Sequence, residues 1–353
     1  MSYAALIVGC LFYVYIISDM FSGSPQDTAQ PQVTASKSVE EGTANSEEVQ
    51  DENVAEEEPL VTTAESFKDM KVGDIGKKGD VYVGLSYVKK MSVLPTALGD
   101  NSEVGEGKEV ILGFFDFYNN SDDRQTVNPE DVTCYADGVQ VEGVQDNYIN
   151  VVCDGIRQFY YPDLDGHTQL ISVQDFAVST GWSELKFFYK SDCVWTITPD
   201  DVKTDDFEFS SMYDIDVQRE PTQENAIVYQ GDYEVIFKGA TDYTYHNSIW
   251  GDQPYVVFKF TINNTGDSAI DYESAGYEMA AYQNNYYLGD ASYALDDQID
   301  GYSNIFNIDT IEPGMTANIY VAFDAFVTDG DLYMVYDDGY ISNKIKGSVV
   351  VDR

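Results

Sequence analysis

Apolar and polar side chains alternate along residues 255–263, where the apolar set is Val256, Phe258, Phe260 and Ile262. A period of two is typical of a β-strand that buries one face and exposes the other. The run Asn264-Thr265-Gly266-Asp267 follows and predicts a turn, because these residue types tolerate left-handed backbone angles or bond their own backbone. The same arrangement occurs earlier, where Ile111, Gly113, Phe115 and Phe117 precede Asn119-Asn120-Ser121-Asp122. Two copies of one core strand predict two copies of one module.

Further short strands are predicted around the first copy, at residues 81–85, 110–118, 139–144, 171–178, 184–189 and 193–197. Turns rich in Gly, Asp and Asn separate these segments, and no long run has the spacing of a helix. This pattern predicts an all-β fold made of antiparallel β-sandwiches.

The two copies can be aligned over much of their length. Residues 164–176 align without a gap with residues 311–323, and Glu184-Leu185 aligns with Asp331-Leu332 at the same offset. We therefore predict tandem domains at residues 67–200 and 214–353, joined by a short acidic linker.

The N-terminal residues 4–18 carry no charge, and we interpret residues 1–22 as a transmembrane anchor. A spanning helix needs about 17–25 apolar residues, so the length is at the lower limit. Three alternatives stay open. They are a cleaved signal peptide, whose usual basic start is missing here, lipidation at Cys10 after Ile7-Val8-Gly9, and a buried core helix.

Residues 23–66 combine Ser, Thr, Gln, Pro and Ala with many acidic residues and a single lysine, Lys37. Low hydrophobicity together with like charge cannot offset the entropy of ordering, so we predict a disordered acidic stalk. An apolar N-terminus followed by such a spacer predicts a single-pass protein of the cell membrane with both domains outside the cell.

The net charge of the chain is -43 at pH 7. A field of this sign repels nucleic acid, which we exclude as a partner, whereas cations and basic peptides remain compatible with it. The chain contains 28 Tyr and 18 Phe, residue types that favour half-buried β surfaces and so agree with the predicted fold.

Cysteine usage gives no metal site. Cys134, Cys153 and Cys193 form an odd set without CxxC spacing, so no structural zinc is predicted. We interpret them as buried free thiols, and one disulfide in an oxidising compartment is the alternative.

Several motifs together resemble a known family. They are the strand that ends in Asn-x-Gly/Ser-Asp, the turn Pro313-Gly314, the apolar strand ending at Phe323, and Asp331-Leu332-Tyr333. They resemble an immunoglobulin-like domain of unknown function from membrane-anchored surface proteins and lipoproteins of Gram-positive bacteria. That domain is similar to the mycobacterial immunoprotective extracellular antigen. The resemblance covers both predicted domains, implies an immunoglobulin-like sandwich for each and supplies no catalytic residues. Gly166-His167 replaces Pro313-Gly314 in the first domain, so its turn is expected to differ.

The candidate chemistry is sparse. His167 and His246 are the only histidines, and each lies in a predicted loop without a neighbouring Cys, second His or nucleophilic Ser motif. A Ser-His-Asp or Cys-His apparatus needs such a base, so we expect no catalytic residues and a non-enzymatic protein. The acidic segments Asp163-Leu164-Asp165-Gly166, Asp329-Gly330-Asp331 and Asp337-Asp338-Gly339 are interpreted as turns. No cofactor and no specific metal ligand is predicted, and weak surface calcium binding is the alternative.

Aromatic residues give the candidate ligand contacts. Tyr282, Tyr286, Tyr287 and Tyr293 form a row, and Trp182, Trp195 and Trp250 lie elsewhere. Trp250 and Tyr286 are our candidates because both lie in predicted loops, where aromatic rings can stack on sugars or anchor a partner. We therefore expect a surface protein that presents its domains or binds an unidentified protein or glycan. A carbohydrate- or metal-ion-binding receptor is the alternative, and a hydrolase with two carboxylates is a third hypothesis.

Overall fold

The computed structural model describes residues 63–95, 101–144, 152–215, 217, 219–247, 251–271, 279–292, 295, 299–308, 310–325, 330–337 and 346–351. These residues form β-strands and short 3₁₀ turns, which confirms the predicted all-β fold. Among them, no helix has the length and apolar character needed to cross a membrane. The predicted anchor, and the predicted stalk apart from residues 63–66, lie outside the described residues.

The first half of the chain forms a sandwich of two sheets. Its strands are β1 (Ile75–Lys78), β2 (Val81–Met91), β3 (Val93–Pro95), β4 (Asn101–Glu103), β5 (Lys108–Asn119), β6 (Gln125–Thr126), β7 (Val132–Ala136), β8 (Val139–Val141), β9 (Val152–Cys153), β10 (Ile156–Arg157), β11 (Asp163–Leu164), β12 (Gln169–Ser179), β13 (Leu185–Tyr189) and β14 (Cys193–Ile197). Strands β1-β2-β5-β12 lie in one sheet and β14-β13-β7-β8 in the other. Phe115 of the first sheet packs edge-on against Phe187 and Trp195 of the second, each with ring centroids 5.7 Å apart. The aromatic core therefore lies between the sheets.

The second half repeats this arrangement with β15 (Ile227–Gln230), β16 (Tyr233–Asn247), β17 (Gly251–Asn264), β18 (Ile270–Asp271), β19 (Met279–Gln283), β20 (Tyr286–Asp290), β21 (Ser303–Asn304), β22 (Thr310–Ile311), β23 (Thr316–Asp324), β24 (Leu332–Asp337) and β25 (Lys346–Val351). One sheet has the order β15-β16-β17-β23-β21, and β20-β19-β24-β25 face it. Phe258, Phe323, Leu288 and Met334 belong to the core cluster between them. Described 3₁₀ turns are Pro129–Asp131, Pro199–Asp201 and Ile305–Asn307.

The two halves share one connectivity. The order β1-β2-β5-β12 corresponds to β15-β16-β17-β23, and β14-β13-β7-β8 corresponds to β25-β24-β19-β20. Strands β7, β8, β11, β12 and β13 start 147 residues before their equivalents β19, β20, β22, β23 and β24, for example Val132 before Met279 and Leu185 before Leu332. The hairpin turns Asp137-Gly138 and Asn284-Asn285 also match, because all four residues have positive φ angles. This is the turn chemistry that a two-residue β-hairpin requires.

A buried asparagine ends the central strand of each half. The Asn119 side chain lies at the end of β5 and is inaccessible to solvent. Its Nδ2 donates to the carbonyl oxygens of Asp123 at 2.8 Å and Leu164 at 3.1 Å, and its Oδ1 accepts from the Ser121 backbone N–H at 3.1 Å. The asparagine therefore joins the strand end, the turn that follows it and β11.

Asn264 makes the same contacts at the end of β17. Its Nδ2 donates to the carbonyl oxygens of Ser268 and Ile311, both at 2.8 Å, and its Oδ1 accepts from the Gly266 backbone N–H at 3.1 Å. The backbone N–H of Asn264 donates to Met315 O, as that of Asn119 donates to Thr168 O, both at 3.0 Å. The turn predicted after each core strand is thus closed by one side chain.

The core strands are more buried than their alternation predicts. Val256, Phe258, Phe260 and Ile262 lie in the core as expected. Tyr255 and Val257 on the opposite face are also buried, and the expectation that this face is exposed is wrong for these two residues. The reason is a second apolar layer, in which Leu295 and Ile299 cover the outer face of the sheet.

The first half has a similar outer layer. Val110, Leu112 and Phe114 of β5 face away from the sandwich core but are inaccessible to solvent. They pack in a cluster with Leu94, Ile156 and Phe207, which belong to β3, to β10 and to the segment after β14. The central sheet of the first half is therefore covered on both faces.

Cys134, Cys153 and Cys193 are buried and free, which confirms their interpretation as thiols. Burial raises the pKa of Cys134 to about 12, of Cys153 to about 12 and of Cys193 to about 11. Thiols with such pKa values are almost entirely protonated at neutral pH and react slowly. Cys10 lies outside the described residues.

We predict that Asn119→Ala lowers the free energy of unfolding of the first half by about 2–4 kcal/mol, because the backbone carbonyl oxygens of Asp123 and Leu164 lose their donor. Urea denaturation followed by tryptophan fluorescence measures this, since Trp182 and Trp195 lie in the same half. Asn120→Ala is the matched control, because Asn120 is the next residue and only half-buried. Equal losses in the two variants would contradict the role assigned to Asn119.

Candidate functional site

The structure buries one of the two candidate ligand contacts. Tyr286 begins β20 instead of lying in a loop, and its side chain is 2% exposed. Its ring packs against Phe209 with centroids 4.5 Å apart. The expected loop position was wrong because the segment after β14 folds over this tyrosine, which sequence spacing alone does not reveal. Trp250 lies outside the described residues.

Other aromatic candidates are also core residues. Tyr282 and Tyr287 are buried and belong to the same cluster as the first half's core. Trp182 and Trp195 are buried in that cluster as well, and Tyr293 lies outside the described residues. The indole N–H of Trp182 donates to Glu109 Oε1 at 2.8 Å, and that of Trp195 donates to Asp74 O at 3.1 Å. These tyrosines and tryptophans therefore fill the interior.

Both histidines are held by aspartates. His167 lies in the loop before β12 with φ of 56°, and its Nε2 lies 2.9 Å from Asp122 Oδ1. Its Nδ1 lies 3.3 Å from the Tyr118 hydroxyl. His246 lies in β16 and not in the predicted loop, and its Nδ1 lies 2.6 Å from Asp252 Oδ1 on β17. The β16-β17 hairpin is longer than its polar sequence indicates.

The acidic segments have structural roles where they are described. Asp163–Leu164 form β11, which pairs with β6, so the predicted turn begins only at Asp165. Asp331 precedes β24 and Asp337 ends it, while Asp329, Asp338 and Gly339 lie outside the described residues. In the part of the chain that the structure describes, no group of three His, Cys, Asp or Glu side chains is placed to hold a metal ion.

The two halves meet at one edge of each sandwich. Strand β12 of the first half pairs in parallel with β20 of the second through Gln169 and Tyr286, and the Gln169 N–H donates to Asn285 O at 2.8 Å. This contact merges the two sheets into one with the order β1-β2-β5-β12-β20-β19-β24-β25. Phe159 of the first half packs against Tyr287 of the second, with ring centroids 5.4 Å apart.

Tyrosine hydroxyls complete this junction. The Tyr282 hydroxyl accepts from the Asp165 N–H at 2.9 Å and donates to Asp163 O at 3.0 Å. The Tyr333 hydroxyl donates to Asp165 Oδ2 at 2.6 Å, and the Arg219 guanidinium lies 4.2 Å above the Tyr333 ring. Directional bonds of this kind fix orientation, whereas apolar contact alone would allow the halves to slide.

The segment at residues 203–213, which we call the strap, crosses the outer face of the first half's central sheet. Lys203 exchanges backbone hydrogen bonds of 2.9 Å with Val88 and Lys90 of β2. Phe207 stacks on Phe114 with centroids 4.8 Å apart, and the Tyr213 hydroxyl donates to Asp116 O at 2.8 Å. The predicted linker therefore packs on the first half and then reaches Tyr286.

A buried lysine fastens the strap. Lys89 Nζ lies 2.7 Å from Asp154 Oδ2 in the β9-β10 turn and 3.0 Å from Asp206 Oδ1 in the strap. Burial alone would lower the pKa of Lys89, but its hydrogen bonds to Asp154 and Asp206 raise it above its ordinary value. The ammonium group is therefore charged, and it ties three segments together.

Asp116 is a buried acid beneath the strap. Its side chain is inaccessible to solvent, and neither carboxylate oxygen has a hydrogen-bond partner among the described residues. Burial raises the pKa of Asp116 well above its ordinary range, and the nearby Ser86 hydroxyl offsets only part of this effect. Burial therefore favours the protonated form of Asp116.

An open groove of about 580 Å³ runs beside β8. It is lined by Val139 to Gly143, by Ala177 and Ser179 to Trp182, and by Lys108, Ala136 and Asp137. Strand β8 is the edge strand of its sheet, and Val139 is 70% exposed. An edge strand beside a groove presents unpaired backbone groups to which another strand can be added.

Known structures are similar to this chain only with low TM-scores. No protein-family model matches the sequence. No curated protein sequence matches it. A structure described as a putative lipoprotein from Bacillus subtilis is 13% identical, with a TM-score of 0.29, and the match covers 37% of this chain and 40% of that one.

Two further structures are similar over a comparable part of the chain. A structure described as a putative lipoprotein from Staphylococcus aureus is 19% identical over 36% of this chain and 92% of that one, with a TM-score of 0.27. An uncharacterized β-sandwich protein from Clostridium difficile is 13% identical over 40% of this chain and 99% of that one, with a TM-score of 0.27. The all-β assignment depends on the strands of this chain itself.

We predict that Asp116 makes stability fall as the pH rises. Because the pKa is raised in the folded state, the folded protein keeps a proton that the unfolded chain loses above about pH 4. The free energy of unfolding should then decrease by about 1.4 kcal/mol per pH unit between that point and the folded-state pKa. Asp116→Asn cannot titrate, so its advantage over the parent in urea titrations should grow as the pH rises above about 4.

Asp123→Asn is the control, because Asp123 is exposed. Its stability difference from the parent serves as the reference for the Asp116→Asn difference at each pH. An Asp116→Asn variant whose difference from the parent does not change with pH would show that Asp116 is ionised in the folded protein.

Proposed function

We propose that this chain is a non-enzymatic, membrane-tethered protein of the cell surface, which presents two immunoglobulin-like sandwiches as one unit. The observation that supports a presenting role most strongly is the junction between the halves. The parallel contact of Gln169 with Tyr286 and the bonds of Tyr282 and Tyr333 fix one sandwich on the other. A rigid pair holds its outer end at a defined distance from the point of attachment.

The placement of aromatic residues supports this role over that of a carbohydrate receptor. Tyr282, Tyr286 and Tyr287 supply the contact between the halves and the core beside it. A sugar-binding platform needs aromatic faces open to solvent, whereas these rings are buried. These three tyrosines fill the contact between the two sandwiches.

The charge distribution agrees with a surface location. A net charge of -43 opposes the approach of the chain to anionic surfaces. Residues 23–66 are rich in acidic residues and in Ser, Thr, Gln, Pro and Ala. This composition suits a spacer between the apolar N-terminus and the first sandwich. The N-terminal residues 1–22 would serve as the anchor, with lipidation at Cys10 as the competing route to the membrane.

We predict that the full chain, with an epitope tag after Arg353, fractionates with membranes and that protease added to intact Gram-positive cells removes the tag. Deleting residues 1–22 should remove the chain from the membrane fraction. Cys10→Ser should leave the chain attached if the apolar segment is the anchor, and should release it if lipidation is the route. A tag that stays protected in intact cells would contradict the proposed location.

A further inference from the structure

The first half carries a second copy of the hairpin by which the second half docks. In the second half this hairpin is β19, Asn284-Asn285 and β20, and Tyr286 is 2% exposed at the junction. Its equivalent in the first half, at the offset of 147 residues, is β7, Asp137-Gly138 and β8. Val139 stands at the place of Tyr286 but is 70% exposed. Among the described residues, β8 lies at the edge of its sheet.

The second half likewise carries a copy of the surface that receives the hairpin. Gln169, the first residue of β12, corresponds to Thr316, the first residue of β23. Asp165 in the turn before it corresponds to Glu312, and both Glu312 and Thr316 are exposed. Met315, beside Thr316, is 60% exposed, which is unusual for a large apolar residue of this chain. The hairpin in the first half and the start of β23 in the second half are thus the equivalents of the two parts that meet in the junction.

We propose that a second copy of this chain docks at this surface, with hairpin β7-β8 of one copy against the start of β23 of another. Val139 would pair with Thr316 as Tyr286 pairs with Gln169 in the junction. Because the two parts lie on different halves, the contact is head to tail, and successive copies join in a row.

The side chains at the equivalent positions fit this contact. Tyr135 takes the place of Tyr282, and its hydroxyl would meet the backbone of Thr310 and Glu312. Lys186 pairs with Tyr135 across the strands, as Tyr333 pairs with Tyr282. In the junction Tyr333 donates a hydrogen bond to Asp165. At the equivalent positions of the proposed contact, Lys186 would face Glu312, and the two side chains have opposite charges. Docking also buries Val139 and Met315.

The net charge determines when copies can associate. At -43 per chain, long-range repulsion opposes the approach of two copies at low ionic strength. At 0.15 M salt the Debye length is about 8 Å, so repulsion between distant charges is screened while the contact of Lys186 with Glu312 persists. Association is therefore expected at physiological ionic strength and should be lost in dilute buffer.

The direct test is disulfide cross-linking of the full chain in its membrane. Val139→Cys and Thr316→Cys, combined in one chain in a Cys10→Ser background, should give a ladder of cross-linked oligomers upon mild oxidation. Residues paired across neighbouring strands have Cα atoms within the range of about 4.4–6.8 Å that a disulfide spans. The buried thiols of Cys134, Cys153 and Cys193, with raised pKa values, should not contribute.

The matched control combines Lys71→Cys with Thr316→Cys. Lys71 is exposed and lies next to β14, at the edge of the same sheet opposite to β8. This pair should give no ladder. A ladder of equal yield from the control, or none from Val139→Cys with Thr316→Cys at 0.15 M salt, would overturn the proposal.

A charge exchange tests the assigned orientation. Lys186→Glu or Glu312→Lys, added singly to the double-cysteine chain, should lower the ladder yield by about tenfold or more, because like charges then meet. Both changes in one chain should restore the yield. Failure of the combined variant to recover, although it folds as judged by its thermal melt, would show that Lys186 and Glu312 do not face each other.

Discussion

The carboxamide of one buried asparagine in each half is the interaction on which the rest of the structure depends. Asn119 and Asn264 each donate to two backbone carbonyls from different segments and accept from the turn that follows. An amide is suited to this position because it combines two donors with an acceptor and carries no charge that would have to be buried. By closing the end of the central strand, it places β11 or β22 beside that strand. The start of β12 or β23 follows from that placement, and the start of β12 is where the second half docks.

The loop that Asn119 holds also takes part in the contact between the two halves. The loop that Asn119 holds contains Asp165 and Gly166, which bond to Tyr282, Tyr333 and Arg219 of the second half. The strap then covers Asp116 and reaches Tyr286, so the segment that connects the halves is also part of their contact. Lys89 holds this strap by its ion pair with Asp206, and Phe207 holds it by stacking on Phe114. Loss of either would expose the outer face of the first sandwich.

Much of the fold can be predicted from the sequence, because period-two alternation and turn residues are local signals. The core strands of both halves and the all-β class follow from such signals. The outer layers could not be predicted, since Phe207, Phe209 and Leu295 lie in short acidic segments with too few apolar residues to form a strand pattern. For the same reason Tyr286 was expected in a loop, although it is buried. Its burial depends on the strap and on β12, which are distant in sequence.

The offset of 147 residues was the one signal that could have located the junction. Once Val139 and Tyr286 are recognised as equivalent, the difference in their exposure marks one hairpin as docked and the other as open. The equivalence of Val139 and Tyr286 can be read from the sequence, but their solvent exposure can be read only from the structure. Assigning the surface for self-association therefore required both the sequence equivalence of the two hairpins and their solvent exposure in the structure.

The central claim is that the two sandwiches form one rigid unit. Double electron–electron resonance between nitroxide labels at Glu130→Cys and Asp267→Cys, exposed positions in different halves, tests it most directly in a Cys10→Ser chain. In dilute buffer, where copies of the chain do not associate, the account predicts a single narrow distance distribution, which broadens when Tyr333→Phe and Arg219→Ala remove junction contacts. A broad distribution in the otherwise unchanged chain would contradict it.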